Sequence, residues 1–277
     1  MGLNLIDGEN QSAGGGGNRS RYLGQLPGQF IRIHTLGRFG IQIDGQVLPA
    51  EKMRQQKPIE LLQALIAHGG RGVSKELLSA SLWPDMDGDE AANSYDVTLH
   101  RLRKLLQHNN VLIATDGRLT LNAETAWVDV WVFERILNQI DRLLMLPSSK
   151  AVTERLFRLL TQAMTFYQGG FLARETPKSW SLSIRERVRS MLLRNTLRVA
   201  EQAEINRQLT SASYLYLKGI EIDPLYEQFY QRLMACYRDQ GRAAEALAIF
   251  QRCHSNLTSG LGIGPSPETI KVRDSLK

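Results

Sequence analysis

Two Asp-Gly pairs, Asp44-Gly45 and Asp116-Gly117, constrain this chain more than any other feature. Asp-Gly between two apolar runs is a strong signal for a two-residue hairpin, because both central residues of a type I′ turn need positive φ. The first pair follows β-like runs at residues 30–36 and 39–43, with Val47-Leu48 as the return strand. This predicts a small antiparallel sheet. The second pair joins residues 111–115 to residues 118–121 and predicts another hairpin. Between the two pairs the apolar period changes from two to 3.6.

Three helices fit that interval. Pro58 suits the first turn of one, Ile59, Leu62, Leu65 and Ile66 form its apolar stripe, and Gly69-Gly70 ends it. Ser74 is a good N-cap for a short second helix through Leu77, Leu78 and Leu82, stopped at Trp83-Pro84. After the acidic loop at residues 85–90, Asp89 can cap a third helix over about residues 90–107. Sheet, three helices, hairpin is the element order of a winged helix-turn-helix, here an α+β unit at residues 30–126.

The rest of the chain reads differently. From Asp129 onward no strand signal appears, and helices are expected at residues 130–146, 150–167, 178–206, 208–222, 225–240, 242–259 and 266–276. A weak repeat of 34 residues aligns Ala212 with Ala246, Tyr216 with Phe250 and Ala203 with Tyr237. That period matches stacked helix pairs of the tetratricopeptide type, whose apolar stripes are buried only against neighbouring pairs. An ordinary helical bundle is the plainer alternative. Residues 1–29 have a Gly14–Gly17 run and no periodicity, and read as a disordered tail. The expected whole is mainly α: a tail, a winged helix, and an all-α domain at residues 127–277.

Composition limits the function classes. The 277 residues suffice for two domains, and 43% hydrophobic with 22% charged residues is a globular mix. No apolar run approaches the ~20 residues needed to cross a bilayer. The N-terminus lacks a signal-peptide pattern. The two cysteines, Cys236 and Cys253, sit in helical sequence, which suits a reducing, cytoplasmic setting. The net charge is +6, but it is unevenly placed: residues 30–126 hold eleven basic and eleven acidic side chains, and the whole excess falls in residues 127–277. A case for nucleic acid must therefore rest on where charges sit.

The third helix is the informative element. At 100° per residue, Tyr95, Leu99, Leu102 and Leu106 form one stripe, with Ala92 at its start. The opposite side carries Asn93, Ser94, Val97, His100, Arg101, Lys104 and His108, with Arg103 at the flank of the stripe. Arg can bond guanine O6 and N7 together, Ser and Asn can meet base edges or phosphates, and Val methyls can meet a thymine methyl. Arg103 and Lys104 suit phosphates. Arg118, beside the hairpin turn, suits a minor groove or backbone. The bland alternative is a solvated helix face, and the winged-helix order around it argues for the DNA reading.

These residues carry a resemblance. Leu82-Trp-Pro-Asp85, the run from Ala92 to Leu106 and Gly117-Arg-Leu-Thr-Leu121 resemble an OmpR-type winged helix. Tyr167-Gln-Gly-Gly-Phe-Leu172, Trp180, Gly241-Arg-Ala-Ala-Glu-Ala246 and Leu261-Gly-Ile-Gly-Pro265 resemble the bacterial transcriptional activation domain. The two are joined in this order in Streptomyces antibiotic regulatory proteins, and Val128-Asp-Val with Phe133-Glu134 is typical of the join. The resemblance implies that Ser94, Val97 and Arg101 face bases, that Arg103 and Lys104 face phosphates, and that Trp83 offers its indole N–H to a phosphate. For Trp83 a plain core role stands beside that one. Asn93 and His100 occupy places where relatives often carry basic residues, so the preferred bases cannot be copied from a relative.

The resemblance implies a cytoplasmic transcriptional activator that binds double-stranded DNA as two copies on repeated half-sites and faces RNA polymerase. The acidic loop resembles one presented to polymerase, and more plainly places negative charge at a helix start. Arg185, Arg187, Arg189, Arg194 and Arg198 crowd one long helix, to touch DNA or an acidic partner, or simply as a solvated face. No catalytic set, metal-ligand spacing or nucleotide loop appears, so no enzyme, metal or cofactor is expected. The main alternative is a protein-interaction adaptor in which the helical repeats bind a partner and the winged helix does not bind DNA.

Overall fold

The computed structural model describes residues 30–276; the tail assigned to residues 1–29 lies outside them. Strands β1 (Ile31–His34), β2 (Gly40–Ile43) and β3 (Gln46–Val47) form the expected antiparallel meander. Ile31, Ile33, Ile41 and Ile43 turn inward by period-two alternation. Asp44 and Gly45 have φ of 49° and 82°, as a type I′ turn requires. A fourth strand, β7 (Ala126–Val128), was not foreseen. It lies parallel to β1 and completes the order β3-β2-β1-β7. The sheet is therefore mixed rather than purely antiparallel.

A short helix α1 (Ala50–Met53), also unforeseen, precedes α2 (Gln56–Ala67). Helix α3 (Lys75–Leu82) starts after Ser74, whose hydroxyl accepts from Leu77 N at 3.2 Å. Helix α4 (Gly88–Leu106) starts two residues earlier than expected, with Asp87 rather than Asp89 at its N-cap. Asp89 and Glu90 occupy its first turn, where negative charge also favours the helix. The wing consists of β5 (Leu112–Thr115) and β6 (Arg118–Leu121), joined through Asp116 and Gly117 at φ 50° and 68°. A two-residue strand, β4 (Val73–Ser74), pairs with β6 and gives the order β4-β6-β5. Leu61, Leu62 and Leu65 of α2, Leu78 of α3, Leu102 and Leu106 of α4 and Leu119 and Leu121 of β6 are fully buried. Each contributes about 1.5–3 kcal/mol relative to exposure.

Seven helices follow, at the seven expected places: α5 (Asp129–Leu143), α6 (Lys150–Phe166), α7 (Ser179–Ile205), α8 (Leu209–Ile222), α9 (Glu227–Asp239), α10 (Ala243–Leu261) and α11 (Pro267–Asp274). Each packs against its neighbour in sequence. The repeat-related Ala212 and Ala246 are both fully buried between neighbours.

The two parts are joined through a buried carboxylate. Asp129, at the start of α5, accepts from Thr35 N at 2.8 Å, Thr35 Oγ1 at 2.6 Å, Leu36 N at 3.0 Å and Val130 N at 2.7 Å. Burial pushes its carboxyl pKa up, while the hydrogen bonds from Thr35 and Leu36 and nearby His34 pull it back. The segment after β1 also bonds to the α6–α7 connection: Gly37 N donates to Gly170 O and Leu172 N donates to Thr35 O, both at 2.7 Å. Gly70 meets Trp131 of α5 so closely that a Cβ there would lie 2.4 Å from the indole ring.

Candidate nucleic-acid interface

Helix α4 sets the site because one of its sides is fixed in the core. Ala91, Tyr95, Thr98, Leu99, Leu102, Leu105 and Leu106 are buried against α2 and α3. Ala91, rather than Ala92, closes the stripe at its N-terminal end. Burial, with Asp96 beside it, raises the Tyr95 hydroxyl pKa to about 12, so it stays a neutral core group.

The other side faces outward. Asn93, His100, Arg101, Arg103 and Lys104 are exposed, and Ser94 is half-buried with Oγ 3.9 Å from Met86 Sδ. Val97 is 53% exposed, an apolar side chain left without cover in the middle of a polar face. Arg101, Arg103 and Lys104 make no ion pair among the described residues. The acid nearest these cations along the helix is answered from elsewhere, since Asp96 meets Lys75 of α3 at 2.8 Å, and Asp89 and Glu90 lie in the first turn. His108 is not part of the outer face. Its Nε2 lies 3.1 Å from Asp44 Oδ2 and its ring stacks on Phe30 at 5.1 Å, which ties the end of α4 to the first hairpin.

Trp83 is half-buried against the core, with Lys57 Nζ 5.3 Å from its ring centre. The indole N–H groups of Trp127, Trp131 and Trp180 are shut in without a partner; that of Trp83 is not among them. Arg118 is exposed at the wing turn and donates one N–H to Gly72 O at 2.8 Å, which leaves most of its fork free. The structure thus places α4 and the wing of one unit in the open, with Trp83 in the loop before α4.

Two further cations join this surface. A cleft of about 840 Å³ between α1, the start of α2 and α4 is lined by Lys52, Arg54, Lys57, Arg101 and Lys104 among others. Lys52 and Arg54 are exposed and unpaired among the described residues. Lys57 is committed inward, donating to Leu82 O at 2.8 Å and lying 3.2 Å from Glu60. The only sequence signal for Lys52 and Arg54 was their place just ahead of Pro58. Nothing there shows that the start of one helix lies beside the end of another.

The arginines of α7 are engaged by internal partners, although Arg187 and Arg194 stay about half exposed. Arg187 pairs with Glu134 at 2.9 Å, Arg194 and Arg198 with Asp141 at 3.3 and 2.8 Å, and Arg189 with Asp223 at 2.7 Å. Arg185 donates to the carbonyls of Leu172 and Glu175 at 2.5 and 3.0 Å. These forks hold α7 to α5 and to the flanking loops. The pairing speaks against cations left free for DNA or an acidic partner, while the exposure of Arg187 and Arg194 fits the solvated-face reading.

Residues 128–277 match the family described as bacterial transcriptional activator domain, and residues 52–118 match that described as transcriptional regulatory protein, C terminal. The chain belongs to the bacterial transcriptional activator domain family. Its two matched parts, in this order, make it similar to the Streptomyces antibiotic regulatory proteins, with an OmpR-type winged helix. It is 24% identical over 255 residues to the regulatory protein AfsR of Streptomyces griseus, covering 89% of this chain and 24% of AfsR. The chain thus spans about a quarter of the length of that relative. A solved structure, Mycobacterium tuberculosis EmbR in complex with a low affinity phosphopeptide, has the same fold with a TM-score of 0.65. The two are 20% identical, over 90% of this chain and 65% of that one. Families of this kind are transcriptional regulators rather than enzymes. No helix among the described residues is long and apolar enough to cross a membrane.

Proposed function

We propose that this chain is a sequence-specific, DNA-binding transcriptional activator that reads repeated half-sites through α4. In this reading residues 30–126 bind DNA and residues 127–277 form the activation domain, the division falling within β7. The carrying observation is the outer face of α4, where three cations without an internal ion-pair partner follow the exposed Val97 toward the end of the helix. Such charges are left for an external anion, and DNA supplies a regular row of them.

The roles follow from reach and chemistry. Ser94, Val97 and Arg101 meet base edges in the major groove, with Asn93 and His100 beside them. Arg103 and Lys104 meet phosphates, and the Trp83 indole N–H meets another. Arg118 on the wing enters the neighbouring minor groove or follows the backbone. Lys52 and Arg54 extend the phosphate track past the end of α4. Two copies bind side by side in the cytoplasm, and the helical domain supports their contact and faces RNA polymerase.

Selection of bound genomic fragments by the purified protein near physiological salt tests this reading. A repeated motif spaced near one helical turn is the expected result. No enrichment from folded protein would turn the reading to the adaptor, in which the helical domain alone carries function.

A further inference from the structure

We infer that the joint between the winged helix and the helical domain holds a binding site for a small, multiply charged oxyanion. The inference does not depend on DNA binding. It starts from a cleft of about 500 Å³ whose walls come from both parts of the chain. Gly69 and Arg71 come from the connection between α2 and β4, and Ala123 from the segment after β6. Trp131, Glu134, Arg135, Asn138, Gln139 and Arg142 come from α5. The volume is in the range of small-molecule pockets, which favour the seams between domains.

The lining charge is one-sided. Arg71, Arg135 and Arg142 have no ion pair or hydrogen-bonding partner for their side chains among the described residues. The single acid of the wall, Glu134, is already neutralised by Arg187, whose Nε and Nη2 lie 3.2 and 2.9 Å from its Oε1. Arg135, Asn138 and Arg142 lie at successive turns of α5 and so share one face. Three guanidinium forks and two side-chain amides thus converge on one concavity. This set matches phosphoryl or carboxylate oxygens, because a guanidinium donates two parallel N–H bonds to either group.

The shape argues against a duplex as occupant. A concavity of this volume accepts a single anionic group or a small molecule, whereas a duplex presents a wide convex surface. Because Arg71 stands on one part of the chain and Arg135 and Arg142 on the other, a bound anion would bridge the two. Their contact is fixed beside the cleft by Gly70 against Trp131. A ligand held here would tie the DNA-reading unit to the helical domain.

Calorimetric titration and thermal melting of the full chain at low ionic strength test this, with pyrophosphate as the phosphoryl probe and citrate as the carboxylate probe. Binding of either at one site per chain, with a raised Tm, is expected, and the tighter probe identifies the anion class. Arg135→Ala with Arg142→Ala should weaken it about tenfold or more, the scale of lost charge-assisted hydrogen bonds. Arg71→Ala should weaken it as well, because the site needs both parts. All three side chains are exposed, so the variants should fold. Arg155→Ala, an exposed arginine of α6 outside the cleft, should change nothing. No binding of either probe at millimolar concentration would overturn the inference, as would binding undiminished by the double substitution. Arginine-dependent binding of duplex DNA with no binding of either small anion would also overturn it and would assign the cleft to the DNA interface.

Discussion

Arg101, Arg103 and Lys104 on α4 stand exposed without a carboxylate partner, whereas Arg187, Arg189, Arg194 and Arg198 on α7 each meet one. Both helices are rich in cations, and by charge count α7 lies in the basic segment while α4 lies in the neutral one. The count points the wrong way. On α7 the guanidiniums answer Glu134, Asp141 and Asp223 across helix contacts, so their charge is used inside the fold. On α4 the nearby acid Asp96 is taken by Lys75 from another helix, so the remaining cations face outward. A surface cation is available to a partner only when its own fold does not use it, and net charge does not register that.

The largest expected effect falls on the joint that holds the two parts in one folded body. Asp129→Ala should cost about 3 kcal/mol or more, because it leaves the N–H groups of Thr35, Leu36 and Val130 buried without an acceptor. Urea unfolding monitored by circular dichroism reads this as a lowered midpoint. A midpoint unchanged from the parent chain would mean that the joint is not held by this carboxylate.

Arg101→Ala comes next and separates the two helices by readout. It should cost roughly 1–3 kcal/mol at the preferred DNA site and much less on random sequence. Its folding stability should change by no more than about 0.5 kcal/mol, as for other unpartnered surface positions. Equal loss on both DNAs would remove Arg101 from base reading. Asp141→Ala is the opposite case. It strips Arg194 and Arg198 of their shared partner and should lower stability by about 1 kcal/mol, the scale of a partly exposed ion-pair network. DNA affinity should not change. Weakened DNA binding in this variant, with stability intact, would undo the contrast between the helices.

The sequence made one side of this contrast visible and hid the other. The outer face of α4 was legible because helical periodicity alone decides which residues lie opposite Tyr95, Leu99, Leu102 and Leu106. His108 has the same periodicity and was misplaced, because its partner Asp44 lies in a hairpin far away in sequence. The α7 pairs were hidden for the same reason: Glu134 and Asp141 sit more than fifty residues before the arginines they meet. The Asp-Gly turns and the seven later helices follow from local chemistry and were read directly. Strand β7 was not, because three residues carry no period and its pairing with β1 closes a loop around the whole winged helix.

Lys104→Ala has the smallest expected effect and divides the two kinds of cation most sharply. A lysine that contacts a phosphate releases about one counterion, so its loss should reduce the slope of log K against log salt by about one on every sequence tested. Arg194→Ala is the matched control from α7, since its charge is held by Asp141 at 3.3 Å. It should leave the slope alone while costing a little stability. Binding isotherms for both variants over a salt series would compare them directly. Equal slopes in the Lys104 variant and the parent would mean that an unpaired cation on this face does not reach DNA. Freedom from internal partners would then be necessary for a contact but not sufficient, and the track would have to run instead through Arg103, Lys52 and Arg54.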